Sequence, residues 1–185
     1  MTQGARPCGP TGLRAGARSV SKGVAALAPL ALMLSGCGLH PMYAGGTSGP
    51  VASTLARVEV APIEGKAGWL VANNLRDKLS AMGGGEPLYR LDVTLDDTIT
   101  GLGVNRQDVT TRERRTLRAR FQLVDLSKGT VLLDATAGSD AGIDVVGSEY
   151  ATIAAEDSAL ENLSGIVADQ IVGRLALYAH RTRKP

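Results

Sequence analysis

Thr116-Leu117-Arg118-Ala119-Arg120-Phe121-Gln122-Leu123 alternates without a break. Leu117, Ala119, Phe121 and Leu123 take one side. Thr116, Arg118, Arg120 and Gln122 take the other. A period of two belongs to a strand with one face in a core and one in water. The same pattern appears on both flanks. Upstream, from Leu88 to Ile99, Tyr89, Leu91, Val93 and Leu95 share a face, and Arg90, Asp92, Thr94, Asp96 and Thr98 share the opposite one. A Gly-rich segment with Asn105 follows. Downstream, Ser127-Lys128-Gly129 reads as a turn, and Thr130 to Ala137 makes the next strand. Farther upstream, Leu55 to Ile63 also alternates and ends at Pro62 and Gly65.

Two stretches have the other period. From Lys66 to Met82, Trp69, Ala72, Leu75, Leu79 and Met82 fall on one side of a helix, which Gly83-Gly84-Gly85 stops. From about Ser148 to Ala179, Leu160, Leu163, Val167, Ile171, Leu175 and Tyr178 recur at spacings of three and four. The order is therefore β-α-β-β-β-α. Each strand has one apolar face and each helix one apolar stripe. The expected fold is α+β: a two-layer sandwich in which two helices cover one face of a four-stranded, mostly antiparallel sheet. Residues 55–180 form this domain, and residues 181–185 read as a loose tail.

Before the domain, an apolar run from Val24 to Leu34 follows Arg6, Arg14, Arg18 and Lys22 and leads into Leu34-Ser35-Gly36-Cys37. The run is far shorter than the ~20 residues of a membrane-spanning helix. A basic segment, a short apolar segment and small residues before a cut make a secretory leader. With cysteine after the cut, the site resembles the bacterial lipobox. That implies a cleaved signal over residues 1–36 and a diacylglyceryl and N-acyl lipid on Cys37, with no other cofactor. Gly38 rather than Asp after the cysteine points, by the same resemblance, to the outer membrane. Residues 37–54, rich in Gly, Pro, Ser and Thr, read as a lipidated N-terminus and flexible tether.

The leader takes four of the 20 Lys and Arg residues, leaving 16 against 18 Asp and Glu, a net charge of −2. No global basic field argues for nucleic acid. Cys8 leaves with the leader and Cys37 is consumed by lipid, so the domain has no disulfide. Its only histidines are His40 in the tether and His180 near the end, a poor basis for a triad or a metal site. Asp96 and Asp97 point to opposite faces of their strand. Gly101-x-Gly103 precedes no helix, and Asp140, Asp144 and Glu149 fit no calcium-loop spacing. An enzyme is not expected.

The residues from the lipidation site onward, Cys37-Gly38-Leu39-His40-Pro41-Met42-Tyr43, resemble the mature start of the LptE family of lipopolysaccharide-assembly lipoproteins. Asn73-Asn74-Leu75-Arg76, Arg118 to Asp125 with the Gly129 turn, and Ser148-Glu149-Tyr150-Ala151 are similar as well. The resemblance implies a protein facing the periplasm from the outer-membrane inner leaflet. It would plug an LptD-like β-barrel, assist the barrel's assembly and contact lipopolysaccharide on its way to the surface. The alternative is an auxiliary lipoprotein of an ABC-type envelope lipid transporter, but the Gly38 to Tyr43 stretch favours the first reading.

The candidate ligand residues are arginines. Parity puts Arg112, Arg114, Arg118 and Arg120 on the sheet face away from the helices, where guanidinium groups could bind phosphate and carboxylate oxyanions bidentately. The same residues could instead pair with Asp92, Asp96, Glu59 and Asp134 on neighbouring strands, each exposed pair contributing ~0–1 kcal/mol. Arg115 has the parity of the core. It is therefore expected beyond the helices, forming a basic tip with Arg106, unless a bulge shifts the register, and that pair is the preferred candidate for the lipopolysaccharide contact.

Overall fold

The computed structural model describes residues 49–104 and 110–182. The elements run α1 (Pro50–Leu55), β1 (Val58–Val60), α2 (Gly65–Ser80), β2 (Tyr89–Val104), β3 (Thr110–Asp125), β4 (Val131–Asp144) and α3 (Glu149–Thr182). The four strands form one sheet in the order β1-β2-β3-β4. β1 pairs parallel with β2, and the two long hairpin pairings are antiparallel. The α+β, mostly antiparallel architecture read from the sequence is the architecture found.

One layer is the sheet face formed by the odd-numbered residues. Leu91, Leu117, Ala119, Phe121 and Leu123 are buried there, against Val71, Leu75 and Leu79 of α2 and Leu160, Leu163, Val167, Ile171 and Leu175 of α3. Burying each of these Leu, Val, Ile and Phe side chains is worth ~1.5–3 kcal/mol, and this is the main source of cohesion. Lys66 bonds Asp157 at 2.6 Å and Lys78 bonds Asp169 at 2.7 Å, at the same sequence offset, so α2 and α3 lie side by side and run parallel.

Four local expectations need correction. A third helix, α1, occupies Pro50–Leu55, where a tether reached to residue 54 and a strand began at Leu55. Proline suits a first helical turn, and Val51, Ala52 and Leu55 provide a short buried stripe. Consequently β1 is only three residues long. The Ala61 N–H still donates to the Leu91 carbonyl at 3.1 Å, but Pro62 has no N–H to continue the ladder. On α2 the buried stripe is Gly68, Val71, Ala72, Leu75 and Leu79, while Trp69 is 64 % exposed. Ala72, Leu75 and Leu79 are buried as expected, but Gly68 takes the place expected of Trp69 because it packs under Ile63. A β-carbon at Gly68 would lie 2.6 Å from the Ile63 carbonyl oxygen. Finally, β2 and β4 run on to Val104 and Asp144, past the ends expected at Ile99 and Ala137, so Asp140 and Asp144 are strand residues.

The β3–β4 turn is as expected. Asp125 accepts from the Ser127 N–H at 2.8 Å and the Ser127 hydroxyl at 2.6 Å, and Gly129 takes the left-handed φ of 65°. These bonds hold the Asp125 carboxyl below its usual range, the Ser127 hydroxyl being the largest cause. Of the expected tail, Arg181 and Thr182 are the last helical residues, and residues 183–185 lie outside the described range.

Candidate functional site

The even-numbered sheet face carries Arg112, Arg114, Arg118 and Arg120 of β3, all exposed, as strand parity required. Their carboxylate partners come mainly from β4. Arg112 Nε bonds Asp144 at 3.0 Å, and Arg114 lies 3.9 Å from Asp140. Arg120 makes a two-point bond to Asp134, at 3.1 and 2.8 Å, and Gln122 adds a third contact at 2.9 Å. Those bonds, Arg120 first and Gln122 second, lower the Asp134 carboxyl to about 2. Asp92 is engaged by Arg90 of its own strand at 2.8 Å, not by β3.

Arg118 is the exception. It has no ion-pair partner among the described residues. Its side chain lies across Gly138, its register partner on β4. A β-carbon at Gly138 would stand 2.6 Å from Arg118 Cδ and 2.7 Å from its Nη1. The missing side chain thus makes a trough for the guanidinium. That trough is part of an open groove of about 550 Å³ that also meets Thr94, Asp96, Arg120, Gln170 and Arg174. Gln170 anchors the wall. Its side-chain oxygen accepts the Gly138 N–H at 3.0 Å, and its amide donates to the Gly138 carbonyl at 3.2 Å. Arg174, four residues on, brings a second guanidinium with no ion-pair partner among the described residues to the same groove.

Gln170 and Arg174 were missing from the candidate residues. They lie at a spacing of four beside the buried Ile171 and Leu175, so they border the apolar stripe where α3 rests on β4. That spacing is readable in the sequence. The adjacency of this helix edge to β4 is not.

Arg115 is placed differently from expectation. It lies under the helix layer, not beyond it. Its guanidinium grips Asp97 at 2.8 and 2.6 Å and donates to the Glu156 carbonyl of α3 at 2.9 Å. Its side chain is 11 % exposed and that of Asp97 22 %. The Asp97 bond is the largest cause holding the Arg115 pKa above its usual value. No bulge between Asp97 and Arg115 is needed, because α3 is long enough to reach over them. Arg106, the other half of the expected tip, and Cys37 lie outside the described residues.

No cluster of three or more His, Cys, Asp or Glu residues able to hold a metal occurs among the described residues. None of their helices is long and apolar enough to cross a membrane. The domain is a two-layer α+β unit whose helices shield one sheet face and whose other face is a charged, grooved surface. The family model for lipopolysaccharide assembly, LptE, matches residues 55–175, and the chain belongs to that non-enzymatic family of lipoproteins. Solved structures share the fold. A candidate lipoprotein from Caulobacter crescentus CB15 superposes with a TM-score of 0.58 at 24 % identity, covering 73 % of this chain and 98 % of its own. Rare lipoprotein B from Shewanella oneidensis gives 0.54 at 9 % identity, with 69 % and 98 % covered. Lipoprotein B from Nitrosomonas europaea gives 0.52 at 13 % identity, with 66 % and 84 % covered. No curated protein matches the sequence significantly.

Proposed function

We propose that this lipopolysaccharide-assembly lipoprotein is anchored by lipid on Cys37 to the inner leaflet of the outer membrane and docks into the lumen of an LptD-type β-barrel. There it assists the barrel's assembly and contacts lipopolysaccharide in transit. It works by binding, without catalysis. The family match over residues 55–175 carries this reading. The charged, uncovered sheet face supports it, because the wall of a barrel lumen is polar and wet.

The lipopolysaccharide contact is assigned to the groove around Arg118, with Arg120 and Arg174 beside it and Arg112 and Arg114 farther along the same face. Arg118 and Arg174 are the cations there with no carboxylate among the described residues to displace. They would meet the phosphates of a glycolipid head without breaking a pair. Arg115 serves the fold, held by Asp97 and α3.

Purification of the tagged, lipidated chain in mild detergent should bring a large outer-membrane β-barrel in equal amount. Recovery of an inner-membrane permease and ATPase in its place would sink the reading. The Cys37→Ala chain should leave the membrane fraction in cells lacking the barrel. Arg118→Glu should weaken lipopolysaccharide binding about tenfold with the thermal midpoint unchanged, and unaltered binding would remove the groove from the proposal.

A further inference from the structure

The two edges of the sheet differ at their middles, β4 being capped at Gly138 alone among the described residues. On β4 the outward N–H and C=O of Gly138 are taken by Gln170. On β2 the ladder to β1 covers only Tyr89 to Leu91, and its last bond joins the Ala61 N–H to the Leu91 carbonyl. Strand geometry then turns the N–H and C=O of every second residue, Val93, Leu95, Asp97 and Ile99, toward the same side. Among the described residues nothing bonds them. From Asp96 to Leu102 every residue is exposed. Asp97 makes the point: its side chain is only 22 % exposed, held by Arg115, so the exposure of the residue is largely that of its backbone. Ile99 is 44 % exposed on the helix-facing side of this edge.

We propose that this edge of β2, centred on Leu95, Asp97 and Ile99, receives an extended, basic segment of a partner polypeptide as an added strand. The charges select the occupant. Asp96 stands on the polar face of this edge with no ion-pair partner among the described residues, its register partner Arg118 being turned across Gly138. A lysine or arginine opposite Asp96 supplies the missing counter-ion. A second copy of this chain does not. Pairing β2 with its own copy about this centre brings Asp96 and Asp97 of one chain against those of the other, a like-charge arrangement that disfavours self-association. Thr94, Thr98 and Thr100 suit a pleated, half-solvated partner strand. The edge shares Thr94 and Asp96 with the groove around Arg118, but the added strand is held by the backbone of Leu95, Asp97 and Ile99.

The test uses the purified full chain in detergent and three fluorescein-labelled peptides. The first alternates threonine and valine about a central lysine, the second has glutamate at the centre, and the third is the lysine peptide N-methylated at alternate amides. The lysine peptide should bind about threefold more tightly than the glutamate peptide at low salt, an effect the size of one cross-strand charge pair. D96K should reverse that order. Hydrogen exchange should slow at the amides of Leu95, Asp97 and Ile99 when the lysine peptide is present. Equal binding by the N-methylated peptide would overturn strand addition. So would exchange rates unchanged at those amides under saturating peptide. Concentration-dependent dimers that protect the same amides without peptide would overturn the choice of partner, and an unreversed preference in D96K would overturn the role given to Asp96.

Discussion

Arg115 and Arg118 stand three residues apart on β3 and therefore on opposite faces of the sheet. One is locked against Asp97 and the Glu156 carbonyl, while the other lies over a glycine with no carboxylate partner among the described residues. Arg115→Ala leaves the half-buried Asp97 without its counter-ion and frees the first turns of α3. It should cost about 2 kcal/mol in urea unfolding, below the full value of a buried pair because both groups keep some water. Lysine should restore only part of this, since it lacks the two-point fork. Arg118→Ala should change stability by less than about 0.5 kcal/mol, as surface substitutions outside a network do. Asp134 gives a pH prediction. Its carboxyl is lowered to about 2 by Arg120 and Gln122, so the folded state binds its proton less readily than the unfolded chain. The stabilisation it adds is complete above the ordinary aspartate range and is lost as pH falls through about 2. Carboxyl-detected titration should show this midpoint in the native chain and a rise toward the ordinary value in R120A.

At the scale of elements, the sequence is readable wherever burial sets the pattern. The alternation from Leu117 to Leu123 and the three-and-four spacing from Leu160 to Tyr178 placed β3 and α3 and identified their inner faces. It fails where burial gives way to pairing. From Thr98 to Val104 and from Gly138 to Asp144 there is little apolar alternation to read. These strand ends persist through the ladder to β3 and through cross-strand bonds such as Arg112 to Asp144. On α2 the pattern is right at Ala72, Leu75 and Leu79 and misleads only at Trp69. Tryptophan looks like a core residue and glycine does not, yet glycine is what fits beneath the Ile63 carbonyl. Gly68→Ala should therefore destabilise the domain by about 1–3 kcal/mol, despite a gain of up to about 1 kcal/mol in helix propensity. Denaturant unfolding of the variant beside the helical control Gly165→Ala, where a β-carbon meets nothing, separates clash from propensity.

For the molecule as a whole, cohesion comes from one aliphatic core shared by the sheet and three helices, with no cysteine after Cys37 in the sequence. The thermal midpoint of the folded domain should be the same with and without reductant, and a shift would reveal a covalent bond that the sequence does not provide. About half of the candidate site was legible. Parity alone assigned the four arginines of β3 to the uncovered face. Asp134 is an expected counter-ion and pairs with Arg120, but the pairing of Arg112 with Asp144, and the arrival of Gln170 and Arg174 from α3, depend on which elements become neighbours, and no local pattern encodes that. The bond pair between Gln170 and Gly138 also limits how the sheet can grow. A sheet with two reactive edges is a bifunctional monomer and propagates into fibres. Here a side-chain amide acts as the terminator on one edge, and an incoming strand must evict it before growth can proceed that way. If the edge of β2 takes a partner strand as proposed, addition is favoured there over the capped middle of β4, and a one-to-one complex is the expected product.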